Sequence, residues 1–394
     1  MIEPAVMSTY ARYPVTLVHG AGSRVWDDRG REFLDFAGAL GVSALGHSHP
    51  AWVTAVRDQL GRLDMVSNLY ATEPQAALAS RLAALMPVPD ARVFFCNSGA
   101  EANEGAIKLA RKHGLAAGKP AIVALEGSFH GRTTAALAAT GQPEKRAAFE
   151  PLVDWFRFVS PGDLGALDAT MTPDVGAVLL EPVMGEGGVR PLAREYLRGV
   201  RALCDERGAL LVADEVQSGI GRCGNWAALQ HAGVDADVLT LAKALGGGLP
   251  IGAMLARAPI AFAPGDHAST FGGGPVVCAG AIAVLDTIEI DDLLARARTI
   301  GEALPAAVTA ASSGDVLVEG RGRGCLWGFQ LTGPVANDVV LEMIEEGVLA
   351  SSAGPDVVRM SPPLTATDDE VARAAHAFGA AIAKVRASVQ KASA

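Results

Sequence analysis

Between residues 92 and 241 the chain alternates short, unbroken apolar runs with longer stretches patterned as helix. The runs are residues 92–96, 121–125, 175–180, 209–213 and 238–241, and residues 100–113 form the helical pattern after the first of them. Continuous apolar runs of this length suit strands buried on both faces, as in a parallel sheet. Strands alternating with helices imply an α/β fold with right-handed crossovers. Such a sheet binds its ligands in the crevice beyond the carboxyl ends of its strands.

The length of 394 residues exceeds one simple core. The pattern also changes after about residue 285, where residues 316–320, 326–331 and 357–360 read as shorter strands among helices. Residues 24–27 and 32–35 flank Asp28-Arg29-Gly30 and read as a hairpin. The expected organisation is a large domain over residues 51–285. A small α+β domain takes residues 1–50 as its N-terminal part and residues 286–394 as its C-terminal part.

Half of the residues are hydrophobic and 19% are charged, a globular composition. The net charge of −10 argues against a general nucleic-acid binder, which needs clustered Lys and Arg to replace counterions. Cys96, Cys204, Cys223, Cys278 and Cys325 include no Cys-x-x-Cys pair and read as small buried thiols in a reducing compartment. Residues 1–14 lack the basic start and apolar run of a signal peptide, and no apolar stretch is long enough to span a bilayer. The expected setting is the cytoplasm, with no membrane and no nucleic acid as partner.

Two strand ends carry the strongest chemical signal. Leu210-Leu211-Val212-Ala213 runs into Asp214-Glu215-Val216-Gln217, and Val238-Leu239-Thr240-Leu241 runs into Ala242-Lys243. An acid and an amine then meet at one crevice. Alone, they read as a surface ion pair. Pyridoxal 5′-phosphate needs this same combination: a lysine for its Schiff base and a carboxylate to keep its pyridine nitrogen protonated. Val216, two residues after Asp214, faces the same side on extended backbone and can pack against the ring.

Asn97-Ser98-Gly99-Ala100-Glu101 joins a strand to a helix with small residues that let backbone N–H groups approach an anion. By itself it reads as an ordinary capped helix, with Ser98 as cap and Glu101 three residues on. Gly127-Ser128-Phe129-His130-Gly131-Arg132 offers a ring for stacking and a guanidinium for a carboxylate. Singly, Phe129 reads as core and Arg132 as a solvated charge. Gly219-Ile220-Gly221-Arg222-Cys223-Gly224 matches the dinucleotide pattern G-x-G-x-x-G. A Rossmann site turns directly from strand to phosphate loop, whereas here Asp214-Glu215-Val216-Gln217 intervenes, so that reading is rejected. His47-Ser48-His49 has no further His or Cys cluster to make a metal site and reads as structural or capping.

Taken in order, Ser98-Gly99-Ala100-Glu101-Ala102-Asn103, Phe129-His130-Gly131-Arg132-Thr133, Asp214-Glu215-Val216-Gln217, Lys243-Ala244-Leu245-Gly246 and Ser269-Thr270-Phe271-Gly272 closely resemble the class III (ω-amino) aminotransferases over nearly the whole chain. Ser67-Asn68-Leu69-Tyr70-Ala71-Thr72-Glu73-Pro74 and Gly185-Glu186-Gly187-Gly188-Val189 are similar to the acetylornithine subgroup. The resemblance implies a type I pyridoxal-phosphate transferase fold and a homodimer with shared sites. It implies that Lys243 carries the cofactor and shuttles a proton, Asp214 holds the pyridinium, and Gln217 bonds the ring hydroxyl. Phe129 and Val216 would sandwich the ring, and Gly99 and Ala100 would bind phosphate through their backbone with Ser98 nearby. Thr270 would reach the phosphate from the neighbouring subunit, with Ser269 beside it near the substrate. Arg132 would take the distal carboxylate of the donor, Arg359 the α-carboxylate of glutamate or 2-oxoglutarate, and Glu186 would pair with Arg359 when the longer donor binds.

The implied reaction moves the terminal amine of N2-acetyl-L-ornithine or a close analogue to 2-oxoglutarate, giving a semialdehyde and L-glutamate in arginine biosynthesis. Ornithine, succinyl-diaminopimelate, carrier-bound lysine, γ-aminobutyrate and natural-product intermediates are alternative donors. Gly274, Ser218, Cys223 and Ala71 depart from the subgroup pattern, and none removes a catalytic group. A catalytically silent pyridoxal-phosphate module is the non-enzyme alternative, and the intact Lys243–Asp214 pair counts against it.

Overall fold

The computed structural model describes residues 5–312 and 316–392. Part of the N-terminal segment read above for a signal peptide, residues 1–4, lies outside that range.

The apolar runs assemble into one seven-stranded sheet. Its order is Ala91–Cys96, Gly252–Arg257, Val238–Leu241, Leu210–Asp214, Val175–Leu180, Ala121–Leu125 and Phe156–Val159. Neighbours are parallel except around Gly252–Arg257, which runs antiparallel to both of its partners. Val123, Val178, Leu180, Leu211, Leu239 and Leu255 are fully buried within the sheet. Burying each such side chain contributes about 2 kcal/mol before conformational entropy is counted.

Three of the five strands expected in this sheet have the bounds read from the sequence. The run at 209–213 shifts by one residue, so that Asp214 becomes the last residue of its strand. Two strands of this sheet were missed. Phe156–Val159 is a half-buried edge strand containing Arg157, and Gly252–Arg257 is short in β-branched residues and ends on an exposed Arg. Gly252 is required by a close approach: a Cβ there would lie 2.4 Å from the Ser98 carbonyl oxygen.

Helix Gly99–Ala116 follows the first strand, capped by Ser98, whose Oγ accepts from Glu101 N at 3.1 Å. It buries Ala102, Ala106, Ile107 and Ala110 against the sheet. Because it lies behind the sheet with its N-terminus at the carboxyl edge, its positive pole faces the crevice.

Two smaller sheets flank this one. Leu17–Ala21, Arg24–Asp27 and Glu32–Asp35 form antiparallel pairs, and Val348–Leu349 adds in parallel, which joins the two ends of the sequence. Leu317–Arg323, Leu326–Leu331, Val357–Met360 and Ser351–Ser352 form the other. It packs under helices Leu293–Ala311 and Asp368–Ala392 through Ile300, Leu304, Phe329 and Phe378. His47 is structural, with Nε2 at 2.7 Å from Asp35 Oδ2. His49 precedes helix Pro50–Leu60 but makes no side-chain cap bond, so the capping expectation fails there.

The glycine-rich loop at 219–224 is a structural clasp. Ile220 N donates to Trp226 O and Gly221 N to Asn225 O, closing the loop on itself. Arg222 is fully buried and donates to the carbonyls of Cys325 at 3.2 Å, Gly41 at 3.3 Å and Pro362, tying three distant segments together. Among the described residues no helix is long and apolar enough to cross a membrane, and no group of His, Cys, Asp and Glu could hold a metal ion. Arg222→Leu strands three buried carbonyls and is expected to lower stability by about 3 kcal/mol, read as an earlier urea midpoint for the apoprotein.

Candidate active site

The strand register places the acid and the amine together. Asp214 pairs with Thr240 across adjacent parallel strands, and Lys243 follows three residues later. Both line a cavity of about 480 Å³ at the carboxyl edge, together with Ser98, Gly99, Ala100, Phe129, Arg132, Glu186, Val216 and Gln217. Ten residues proposed from separate sequence segments are thus in one crevice.

Asp214 is 4% exposed, and three donors hold it. Asn103 Nδ2 lies 2.7 Å from Oδ2, His130 Nδ1 also 2.7 Å from Oδ2, and Val216 N 3.0 Å from Oδ1. An ionised carboxylate only accepts, so His130 Nδ1 carries the proton. Asn103 is itself oriented by Thr240 Oγ1, which donates to its Oδ1 at 2.8 Å, and it also donates to His130 O at 2.7 Å.

Lys243 sits in left-handed backbone geometry at φ 43°, strain of the kind that functional sites retain. Burial lowers its ammonium pKa, and the nearby Arg359 charge lowers it further. The neutral, nucleophilic amine is therefore more available than on a surface lysine.

At the helix N-terminus, Ala102 N makes the first intrahelical bond, to Ser98 O. The N–H groups of Gly99 and Ala100 precede it and are free for an anion. Ser98 therefore caps the helix and also leaves an anion pole open. A Cβ on Gly99 would lie 2.6 Å from Val216 Cγ1, so only glycine lets these two cavity walls meet.

Gln217 donates through Nε2 to Leu40 O at 2.8 Å, while its buried Oε1 has no partner. Phe129 stands opposite, with the guanidinium of Arg132 5.7 Å from its ring centroid. Glu181 lies at the end of a third strand, and its carboxylate accepts from Phe129 N at 2.8 Å and Gly185 N at 3.1 Å. Burial pushes its carboxyl up to about 7.

Arg359 lies on the Val357–Met360 strand of a small sheet and is 1% exposed. Its Nη1 is 2.5 Å from Glu186 Oε1, and its Nε donates to Ser351 Oγ at 3.2 Å. Burial is the largest influence on the Glu186 carboxyl and raises it, but the charge and hydrogen bond of Arg359 together with the Lys243 and Lys145 charges outweigh burial, and the pKa falls. Ser269 and Thr270 do not line the cavity of the single chain. They line a separate recess with Asn68, Phe95 and His267, and the Asn97 Nδ2–Ser269 Oγ contact of 3.4 Å reaches toward the crevice. Thr270 is exposed on a face that also exposes Leu69, Tyr70 and Phe271.

Together the crevice offers an amine, a carboxylate held by three donors, an unpaired buried amide oxygen, free N–H groups at a helix end and an aromatic wall. Those groups match the aldehyde, ring nitrogen, ring hydroxyl, phosphate and ring face of pyridoxal phosphate. The class-III aminotransferase family model matches residues 6–382. The chain belongs to that family. The aminotransferase is 48% identical to the acetylornithine aminotransferase of Thermosynechococcus vestitus, over 98% of this chain and 97% of that protein. It is 47% identical to that of Methanopyrus kandleri, over 95% and 96%. The solved N-acetylornithine aminotransferase of Stenotrophomonas maltophilia superposes with a TM-score of 0.84 at 38% identity, covering 96% and 98%. The ornithine aminotransferase of Toxoplasma gondii superposes at 0.92 with 32% identity, covering 98% and 94%. The cofactor of this aminotransferase is pyridoxal 5′-phosphate, and its fold is the α/β type I transferase fold with a mostly parallel large sheet.

The sequence reading assigned no role to Asn103, Glu181 or His130. Asn103 carried one signal, a polar residue on the apolar face of its helix. Glu181 carried another, an acid directly after an apolar strand. Asn103→Ala removes one of the donors to Asp214 and is expected to weaken cofactor binding by about tenfold, the worth of one charge-assisted hydrogen bond. Absorbance titration of the apoenzyme with pyridoxal phosphate measures it.

Proposed function

We propose that this aminotransferase moves the terminal amino group of N2-acetyl-L-ornithine, or a close analogue, to 2-oxoglutarate, and that it works in the cytoplasm as a homodimer. The observation that carries the reading is the closed Glu186–Arg359 pair beside Lys243. A terminal-amine donor has no carboxylate next to its reacting carbon, whereas glutamate has one. An arginine permanently open at that place favours glutamate in both half-reactions. A carboxylate that neutralises Arg359 and then yields it lets one pocket serve both. Arg132, at the mouth of the cavity, is the guanidinium for the distal carboxylate of either substrate.

When bound, pyridoxal phosphate supplies a carbonyl that condenses with amines and an electron sink for the carbon that loses its proton. The chain supplies the rest. Lys243 Nζ is the amine that holds the cofactor and then carries the proton from the substrate carbon. Asp214 keeps a positive charge at the ring nitrogen. Gln217 Oε1 accepts from the ring hydroxyl. Phe129 and Val216 clamp the ring faces. The N–H groups of Gly99 and Ala100 take the phosphate, with Ser98 beside them. The relatives named for acetylornithine support the donor. The exposed apolar face around Thr270 and Ser269 supports a partner subunit that brings Thr270 to the neighbouring phosphate.

A panel of terminal-amine donors assayed with 2-oxoglutarate tests the donor, and the reading fails if acetylornithine is a poor substrate beside another member. Glu186→Ala leaves Arg359 open. The glutamate half-reaction is expected to hold or speed up, and the terminal-amine half-reaction to slow by about tenfold or more, as for a lost shielded charge contact. Stopped-flow spectra with each amino donor separate the two, and equal slowing makes Glu186 a structural residue. Mixing inactive Lys243→Ala with inactive Thr270→Ala subunits is expected to restore activity, because one hybrid site carries both native residues. No recovery after proven subunit exchange excludes shared sites.

A further inference from the structure

The Glu186 carboxylate faces two cations. Its Oε1 is on Arg359 at 2.5 Å, and its Oε2 is 4.0 Å from Lys145 Nζ. Among the described residues, Glu186 is the carboxylate that lies within ion-pair distance of Lys145. Lys145 stands in the short helix Pro143–Arg146, on a loop latched to the one that carries Phe129. Gly127 N donates to Gly141 O at 2.7 Å and Gly141 N to Ser128 O at 3.0 Å. Gln142 Nε2 adds a bond to Gly127 O at 3.1 Å. The latch sets the ammonium 4.9 Å from the Phe129 ring centroid, within cation–π range, and its side chain is only 22% exposed. Lys145 is thus held and shielded a short rotation away from Glu186; burial lowers its ammonium pKa and the Glu186 charge works against that fall.

This geometry bears on a difficulty in the gate. When a substrate α-carboxylate takes Arg359, Glu186 loses its partner and stands near a second anion. A shielded carboxylate without a partner is strongly unfavourable. A recess of about 300 Å³ beside Glu186 is lined by Glu144, Arg190 and Arg321 and not by Lys145, so a hand-over to Lys145 stands on the 4.0 Å contact of Oε2 with its Nζ.

We propose that Lys145 is the second partner of Glu186, receiving its carboxylate when a substrate carboxylate occupies Arg359. The proposal rests on the gate reading of Glu186 given above. Lys145 is a positioning residue that tunes the preference for α-carboxylate substrates without touching them. Arg359 gains an empty coordination place because Glu186 has another cation to go to.

The test uses holoenzyme and four variants: Lys145→Met, Lys145→Arg, Glu186→Gln and the double variant Lys145→Met with Glu186→Gln. Calorimetry gives the affinity for glutarate, an unreactive dicarboxylate, and stopped flow gives each half-reaction. Lys145→Met is expected to lose about tenfold in glutarate affinity and in the glutamate half-reaction, the scale of one charge-assisted contact, while the terminal-amine half-reaction keeps its rate. Lys145→Arg restores both losses. In the Glu186→Gln background, Lys145→Met is expected to add nothing, because no carboxylate charge remains to be received. A loss that persists in that background means that Lys145 binds the substrate itself, and overturns the proposal. So does equal slowing of both half-reactions by Lys145→Met, or no loss at all. Equal slowing by Glu186→Gln alone sinks the gate and this proposal with it. Asymmetry in Glu186→Gln with a silent Lys145→Met sinks the hand-over only.

Discussion

A carboxylate buried at the end of a strand is costly to keep charged, and Asp214 is the point on which this site turns. Its charge is balanced by three donors drawn from different elements: Asn103 from the helix, His130 from the loop after the next strand but one, and Val216 from its own turn. Each donor fixes something else. Asn103 is bonded to Thr240, so the helix is set against the strand that leads to Lys243. The same helix begins at Gly99 and Ala100, so aligning Asn103 also aims the anion-binding end. Satisfying one buried charge therefore sets the helix N-terminus and the strand that leads to Lys243 against each other.

The second organising charge pair lies between sheets. Glu186 belongs to the loop after the Val175–Leu180 strand, and Arg359 to a strand of a small sheet. Their contact closes the crevice from the far side. Arg222 secures the same junction from below through main-chain carbonyls of residues 41, 325 and 362. The two arginines have opposite characters. Arg222 meets only neutral carbonyls and has nothing to exchange, so it is a fixed tie. Arg359 meets a carboxylate, and under the proposed gate it is a joint that opens when a substrate carboxylate replaces Glu186.

Much of the site was legible because its groups sit at places that local rules make conspicuous. Asp214 and Lys243 end apolar strands, and Ser98 to Ala100 starts a helix after another. The unread part depended on pairing. Gly252–Arg257 lacks the β-branched run of its neighbours and is a strand because Ala91–Cys96 and Val238–Leu241 bracket it on either side. Leu17–Ala21 is largely exposed and shows no alternation. Asn103 looks like any polar residue of a helix until Asp214 comes within 2.7 Å from 111 positions away. In the G-x-G-x-x-G loop, nothing local indicated that its arginine would be wholly buried.

By itself the sequence determined the α/β class, the edge of the sheet where chemistry sits and the chemical kinds of group available there. These follow from hydrophobic periodicity and from residues next to one another in the chain, which act over a few ångströms whatever the rest of the molecule does. Only the tertiary structure decided the strand order, the antiparallel insertion, the three-donor cradle of Asp214 and the Glu186–Arg359–Lys145 arrangement. Those depend on contacts between residues far apart in sequence, whose energies arise only after burial has removed water and brought the charges within reach.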